Sequence, residues 1–252
     1  MAEPIDRRTA LAGLMGGGML LAGCDRIAST SAFDHAVGGA RALTFHSQRA
    51  LIADGRLARE FTPADISTRF HANGSTDPDD AIYRAHVDSG FRHWQLVVDG
   101  LVHRPLRLSL AQLARLPQRT QITRHDCVEG WSAIAQWQGV PLGLVLAHAG
   151  LMPDARYIVF HCADRLGGDV YYESIDLVDG FHPQTILAHR MNGQPLAVAH
   201  GAPLRLRVER QLGYKHAKYV MRIELVAGLD RIGGGRGGYW EDRRNYDWYA
   251  GI

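Results

Sequence analysis

Arg124-His125-Asp126-Cys127-Val128-Glu129-Gly130-Trp131-Ser132 is the stretch on which the reading of this 252-residue chain turns. Thr120-Gln121-Ile122-Thr123-Arg124 leads into it, and its alternation predicts a strand. Cys127 therefore falls at a strand end or in the loop that follows, where backbone is free to present a ligand. With Cys24 set aside as the last residue of Leu21-Ala22-Gly23-Cys24, only Cys127 and Cys162 remain. They allow three readings: a structural disulfide, a hydrolytic nucleophile served by His125, His161 or His200, or a metal thiolate at Cys127.

Working outward, the N-terminal residues read as an export leader. Arg7-Arg8 precede a weakly apolar, Gly-rich run from Leu11 to Leu21 that is too short to span a bilayer. Leu-Ala-Gly-Cys fits a lipoprotein processing site. The expected organisation is a twin-arginine lipoprotein signal over 1–23, a tether or arm over 24–69, and one domain over 70–252. That places the protein in the periplasm, held at the inner membrane by lipid on Cys24. The formal charge of +2 gives no reason to expect nucleic acid.

The rest of the chain mixes short elements. Trp94 to Val102 predicts a hairpin turning at Asp99-Gly100. Leu108 to Leu116 predicts a helix opened by Ser109 and stopped by Pro117. Pro141 to Gly150 predicts a helix, Tyr157 to Cys162 a strand, Ile186 to His189 a short helical turn, and Asn192-Gly193 a tight turn. Pro203 to Val208 and Tyr219 to Leu225 alternate as strands, Gly233 to Gly238 is a loop, and the aromatic tail from Tyr239 to Tyr249 packs back onto the domain. Strands and helices in no regular βαβ period indicate an α+β fold.

Several chemistries lack their signatures. There is no His-x-x-x-His pair beside a Glu, no Cys-x-x-Cys and no Gly-x-Ser-x-Gly elbow. One Cys suffices for a metal only if an organic cofactor supplies the other ligands. Gly213-Tyr214-Lys215-His216-Ala217-Lys218 offers what the phosphate of such a cofactor needs, a Gly-opened turn with two cations, although the same turn also reads as a plain hairpin.

Four runs in order, Cys127 to Ser132, Met191-Asn192-Gly193-Gln194-Pro195-Leu196, His200-Gly201-Ala202-Pro203-Leu204-Arg205-Leu206 and Gly213 to Lys218, resemble the molybdopterin oxidoreductases of the sulfite oxidase superfamily. The pattern is nearest to the periplasmic methionine sulfoxide reductase branch and covers roughly residues 70 to 250. The resemblance implies a mixed α+β sulfite-oxidase-type fold around a molybdenum-molybdopterin cofactor in its mononucleotide form, with Cys127 as the metal ligand. It implies that Arg205 and Lys218 hold the pterin phosphate, that His216 and Ala217 add backbone contacts, and that His200, Cys162 and Asn73 touch the cofactor. Val208-Glu209 replaces a common Val-Pro, Tyr219 a frequent Trp, and His200 the Asn of the reductase branch.

The expected activity is oxygen-atom transfer, with reduction of sulfoxides such as methionine sulfoxide as the leading case. Arg124 is the candidate for orienting a substrate oxygen. The substrate would be a small or protein-bound sulfur compound, and the electron partner a membrane haem protein or cytochrome. Oxidation of sulfite or another small sulfur compound on the same fold is the alternative. A cofactor-less binding lipoprotein with a Cys127–Cys162 disulfide is a third reading.

Overall fold

A computed structural model describes residues 30–51 and 55–252. The leader at 1–23 and Cys24 lie outside the described residues. Two compact units divide at residue 52. In the first, helix α1 spans Ser31–Leu51, so the expected loose arm is regular over these residues. No helix among the described residues is long and apolar enough to cross a membrane.

The second unit carries the domain. In chain order its elements are α2 (Ala81–Asp88), β1 (Gln95–Gly100), β2 (Leu106–Ser109), α3 (Leu110–Arg115), β3 (Arg119–Asp126), β4 (Ser132–Pro141) and α4 (Leu142–Ala149). They continue with β5 (Tyr157–Leu166), β6 (Asp169–Asp176), α5 (Leu177–Gly180), β7 (Ile186–Met191), β8 (Gln194–Pro195), β9 (Arg205–Arg207), β10 (Val220–Val226) and α6 (Tyr239–Arg244). One sheet runs β2-β1-β10-β5-β6. The other runs β3-β4-β7-β8, with β9 also on β7. Among the described strands only β1 and β10 pair in parallel. The expected α+β class is borne out.

Local chemistry explains the elements that were legible. Ser109 accepts from the Gln112 amide while the Gln112 side chain returns to the Ser109 amide, a capping box that opens α3. Gly150, at φ +67°, closes α4. Asn192 and Gly193, both at positive φ, turn β7 into β8.

Three expectations change. The β1–β2 hairpin does not turn at Asp99-Gly100, because Gly100 continues β1 in register with Leu225 of β10. A Cβ on Gly100 would stand 2.3 Å from the Leu225 carbonyl oxygen, so this glycine serves close approach of two strands. Ile186 to His189 is strand, not helical turn, held between β4 and β9. Residues 57–67 belong with the domain rather than with a tether: Glu60 bridges Thr123, the Phe61 amide bonds the Ile122 carbonyl at 2.8 Å, and Gln184 bonds both backbone groups of Ala58.

The main core lies on the β1-β10-β5 sheet, around Trp94, Leu96, Phe160 and Ile223. A smaller one surrounds Trp137 on the other sheet, with Ala135, Ile186 and Ala188. The β3–β4 loop and the β9–β10 connection together carry the site.

Candidate active site

Cys127 sits in the tight loop joining β3 to β4. Its amide bonds the Trp131 carbonyl at 2.9 Å, and its carbonyl accepts from Gly130 at 3.0 Å. The thiol is free, as is that of Cys162, so the disulfide reading does not hold. Burial, reinforced by the Glu129 carboxylate, pushes the Cys127 thiol up. A thiol raised in this way is a poor free nucleophile, whereas a metal cation removes its proton outright.

Cys127 opens onto a cleft. Asn73, Glu129, Asp164, His216 and Lys218 supply its polar lining, and Tyr171, Tyr214, Trp240 and Tyr246 its aromatic lining. Asn73 Oδ1 and Asp164 Oδ1 are buried with no hydrogen-bond partner among the described residues. Asp164 Oδ2 accepts from Ser75 Oγ at 3.0 Å. Burial holds the Asp164 carboxyl up to about 6.

Near the cleft the β9–β10 connection gathers buried cations. Arg205 is fully buried, and its Nη1 donates to the His200 carbonyl at 3.1 Å. Its Nε and Nη2 have no partner among the described residues. Burial and the adjacent Arg207 pull Arg205 down to about 9. Lys218 Nζ donates to the carbonyls of Ser75 and, at 3.1 Å, Ala199. Burial and Arg205 pull it down to about 7. Arg207, by contrast, is satisfied by both oxygens of Glu209, at 2.9 and 2.6 Å.

Two imidazoles complete this region in defined tautomers. Arg207 Nη1 lies 2.9 Å from His125 Nδ1, which must accept, so the His125 proton sits on Nε2. Burial, then Arg207, Arg205 and Lys218, keep His125 neutral. His216 Nε2 donates to the Gln211 carbonyl at 3.0 Å, leaving its buried Nδ1 as an unused acceptor. Burial, Arg207 and His125 hold it well below the usual range. Gly213 lies directly over His125: a Cβ there would stand 2.5 Å from Nε2.

The remaining expected residues are placed differently. Arg124 faces away from the cleft; it is half exposed, pairs with Asp126 at 2.9 Å, and lines a separate surface cleft with Arg59 and Phe61. Strand parity is the reason, since β3 buries Gln121, Thr123 and His125 and leaves Arg124 outward. Cys162 packs in the main core, its thiol held protonated by burial. His200 presents its ring to Phe70 at 5.6 Å, and its buried Nδ1 is without a partner among the described residues. The amides of His216 and Ala217 are both used inside the turn, by the Gly213 and Lys215 carbonyls at 3.1 and 3.2 Å. Cofactor contacts through these two amides would need that turn to open, whereas contacts through carbonyls would not. Residues that the sequence did not single out are Asp164, Trp240 and Tyr246, while His125 was named only as a possible base for Cys127.

Arg205 and Lys218 thus form a buried pair of cations with no carboxylate partner among the described residues, a costly arrangement unless an anion is bound. No group of three or more His, Cys, Asp and Glu among the described residues could hold a metal. A metal here would have to bring other ligands with it. The profile of the family described as the oxidoreductase molybdopterin-binding domain matches residues 84–229.

The chain belongs to this family.

The motif-based resemblance is borne out, and the cofactor is molybdenum-molybdopterin. A protein of Azospira oryzae described as a protein-methionine-sulfoxide reductase subunit, YedZ1, is 42% identical over 158 residues, 63% of this chain and 56% of that one. The protein-methionine-sulfoxide reductase catalytic subunit MsrP of Gluconobacter oxydans is 36% identical over 146 residues, 53% of this chain and 47% of that one. This molybdopterin-binding chain spans about half the length of these relatives. The crystal structure of the sulfane dehydrogenase SoxCD from Paracoccus pantotrophus shares the fold, with a TM-score of 0.50 and 21% identity over 74% of this chain and 52% of that one. The donor set fits a molybdopterin: a dianionic phosphate answers two buried cations that have no carboxylate partner among the described residues, and a dithiolene-bearing cofactor lets one thiolate suffice.

Proposed function

We propose that this chain reduces neutral sulfoxides, methionine sulfoxide among them, as a periplasmic molybdenum enzyme in which Cys127 ligates the metal. The observation that carries this reading is the charge of the cleft. Around Cys127 it offers the carboxyl groups of Glu129 and Asp164 beside aromatic rings, while Arg124 faces elsewhere. Arg205 and Lys218 are taken by the cofactor phosphate in this reading. An anionic substrate such as sulfite would meet carboxylates; a neutral sulfoxide would not be repelled.

Sulfoxide reduction consumes two electrons and two protons and yields thioether and water. Molybdopterin bound beside Cys127 supplies reversible two-electron oxygen-atom transfer. The chain's own residues hold and proton-serve that chemistry. Arg205 and Lys218 anchor the phosphate, Asn73 and His216 offer acceptors to the pterin, and Asp164, its carboxyl held up to about 6, can take up and pass on a proton just below neutral pH. The mononucleotide form suits a site whose buried cations serve one phosphate. Electrons would come from a membrane haem protein or cytochrome, with the leader at 1–23 and lipid on Cys24 keeping the two close.

The test is consumption of a reduced dye with methionine sulfoxide, set against dye reduction with sulfite. Turnover of the sulfoxide with stoichiometric molybdenum in the wild type, and loss of both in Cys127→Ser, is the expected result. Turnover of sulfite alone would overturn the assignment.

A further inference from the structure

We infer that residues 239–249 form the substrate-selecting wall of the site, in which Trp240 and Tyr246, backed by Tyr214, hold the alkyl arm of a sulfoxide such as oxidised methionine. The inference rests on the proposed sulfoxide reading and deepens it. Trp240 and Tyr246 line the same cleft as Cys127, yet both lie beyond residue 229, where the family match ends. The wall therefore lies outside the stretch that the family profile matches.

Its geometry is that of a built surface. Trp240 and Tyr246 stack with centroids 5.9 Å apart and 24° between planes, and Tyr246 meets Tyr214 edge-on at 5.1 Å. Asn245, at φ +59°, reverses the chain after α6 so that Tyr246 returns onto Trp240. Neighbouring residues anchor the segment. Glu241 is buried against Lys215 at 2.7 Å, Tyr239 Oη donates to the Leu166 carbonyl at 2.6 Å, and Trp248 Nε1 donates to Ser174 Oγ at 2.8 Å. Tyr214 Oη donates to the Asp247 carbonyl at 2.6 Å, which fixes the third ring to the same segment. Tyr239, Glu241 and Tyr249 are buried and do the docking, whereas Trp240 and Tyr246 stay half-buried, with ring surface left for a ligand. Polarizable sulfur and its attached methyl or methylene groups make favourable contacts with aromatic rings. A sulfoxide with only two methyl groups has little to lay against such a wall. Oxidised methionine has a methylene arm to fill it.

The experiment uses molybdenum-loaded enzyme and compares methionine sulfoxide with dimethyl sulfoxide. Trp240→Ala and Tyr246→Ala should each lower the kcat/KM ratio of methionine sulfoxide to dimethyl sulfoxide by about ten-fold, mainly through KM. Trp240→Phe should retain most of the preference and guards against loss of folding in the alanine variant. Without reductant, titrating methionine sulfoxide into the wild type should quench tryptophan fluorescence, and Trp240→Phe should remove that quenching. Ratios within about two-fold of wild type, with quenching intact in Trp240→Phe, would overturn the wall. A wild type that turns over neither sulfoxide would overturn the sulfoxide reading instead. In that case quenching by the product thioether, present in the wild type and absent in Trp240→Phe, would still support the wall, and its absence would end both.

Discussion

Arg205 has two guanidinium N–H positions without an acceptor among the described residues, and its plane rests 4.9 Å from the Trp137 ring. Its charge is therefore a burden on the protein alone and an asset only once an anion is present. Arg205→Met should leave the melting temperature of the cofactor-free protein unchanged or higher, while molybdopterin retention falls by about ten-fold to a hundred-fold, the worth of one or two charge-assisted bonds. Thermal melts of the cofactor-free protein and molybdenum analysis of the purified protein check the two halves. Lys218 adds a pH dependence. Its amine is pulled from an ordinary 10.5 down to about 7, so above about pH 7 the folded, cofactor-free protein has shed a proton that the unfolded chain keeps until about 10.5. Stability should rise with pH through that window, and Arg205, pulled down to about 9, acts in the same direction. Phosphate binding favours charged Lys218, so cofactor binding should take up a proton above about pH 7. Titration calorimetry in buffers of different ionisation enthalpy measures this uptake, and Lys218→Met should reduce it.

At the scale of elements, Gly213 is where two of them press together: its Cα lies against the end of β3 and the His125 ring. Gly213→Ala should displace the turn that leads to His216 and Lys218. The expected outcome is a circular-dichroism spectrum like that of wild type with molybdenum content reduced by about ten-fold or more. The same strand shows what the sequence could and could not disclose. Motif order was enough to bring Cys127, His216 and Lys218 to one cleft, and local caps were enough to bound α3 and α4. Arg124 was misjudged because its closeness to Cys127 in sequence outweighed the parity of β3, which sends neighbours to opposite faces. Ile186-Leu187-Ala188-His189 was misjudged because a short apolar run has no period to distinguish strand from helix. Its strand character comes from β4 and β9, partners that only the folded topology supplies. Trp240 and Tyr246 carry no short-range signal that they border Cys127, more than 100 positions earlier, although the tail's aromatic content correctly indicated packing.

At the scale of the whole molecule, the structure describes residues 30–51 and 55–252, and the proposed leader over 1–23 lies outside them. If the proposed export and lipid attachment are right, Cys24→Ser should move the protein from the membrane fraction to the soluble periplasmic fraction while leaving its molybdenum content intact. Fractionation with metal analysis of both pools checks it, and a variant that stays with the membrane would argue for an anchor elsewhere. The buried Lys215, Glu173 and Glu241 group joins β6, the Gly213 turn and α6 into one body. Both sheets, all of their pairings and the cationic floor are complete in sequence by residue 226. Residues 239–249 are therefore translated after the strands and the turn they cover, so the Trp240 and Tyr246 side of the cleft stays open until that segment is made. A bulky cofactor thus faces a floor specified by earlier residues before that side is covered.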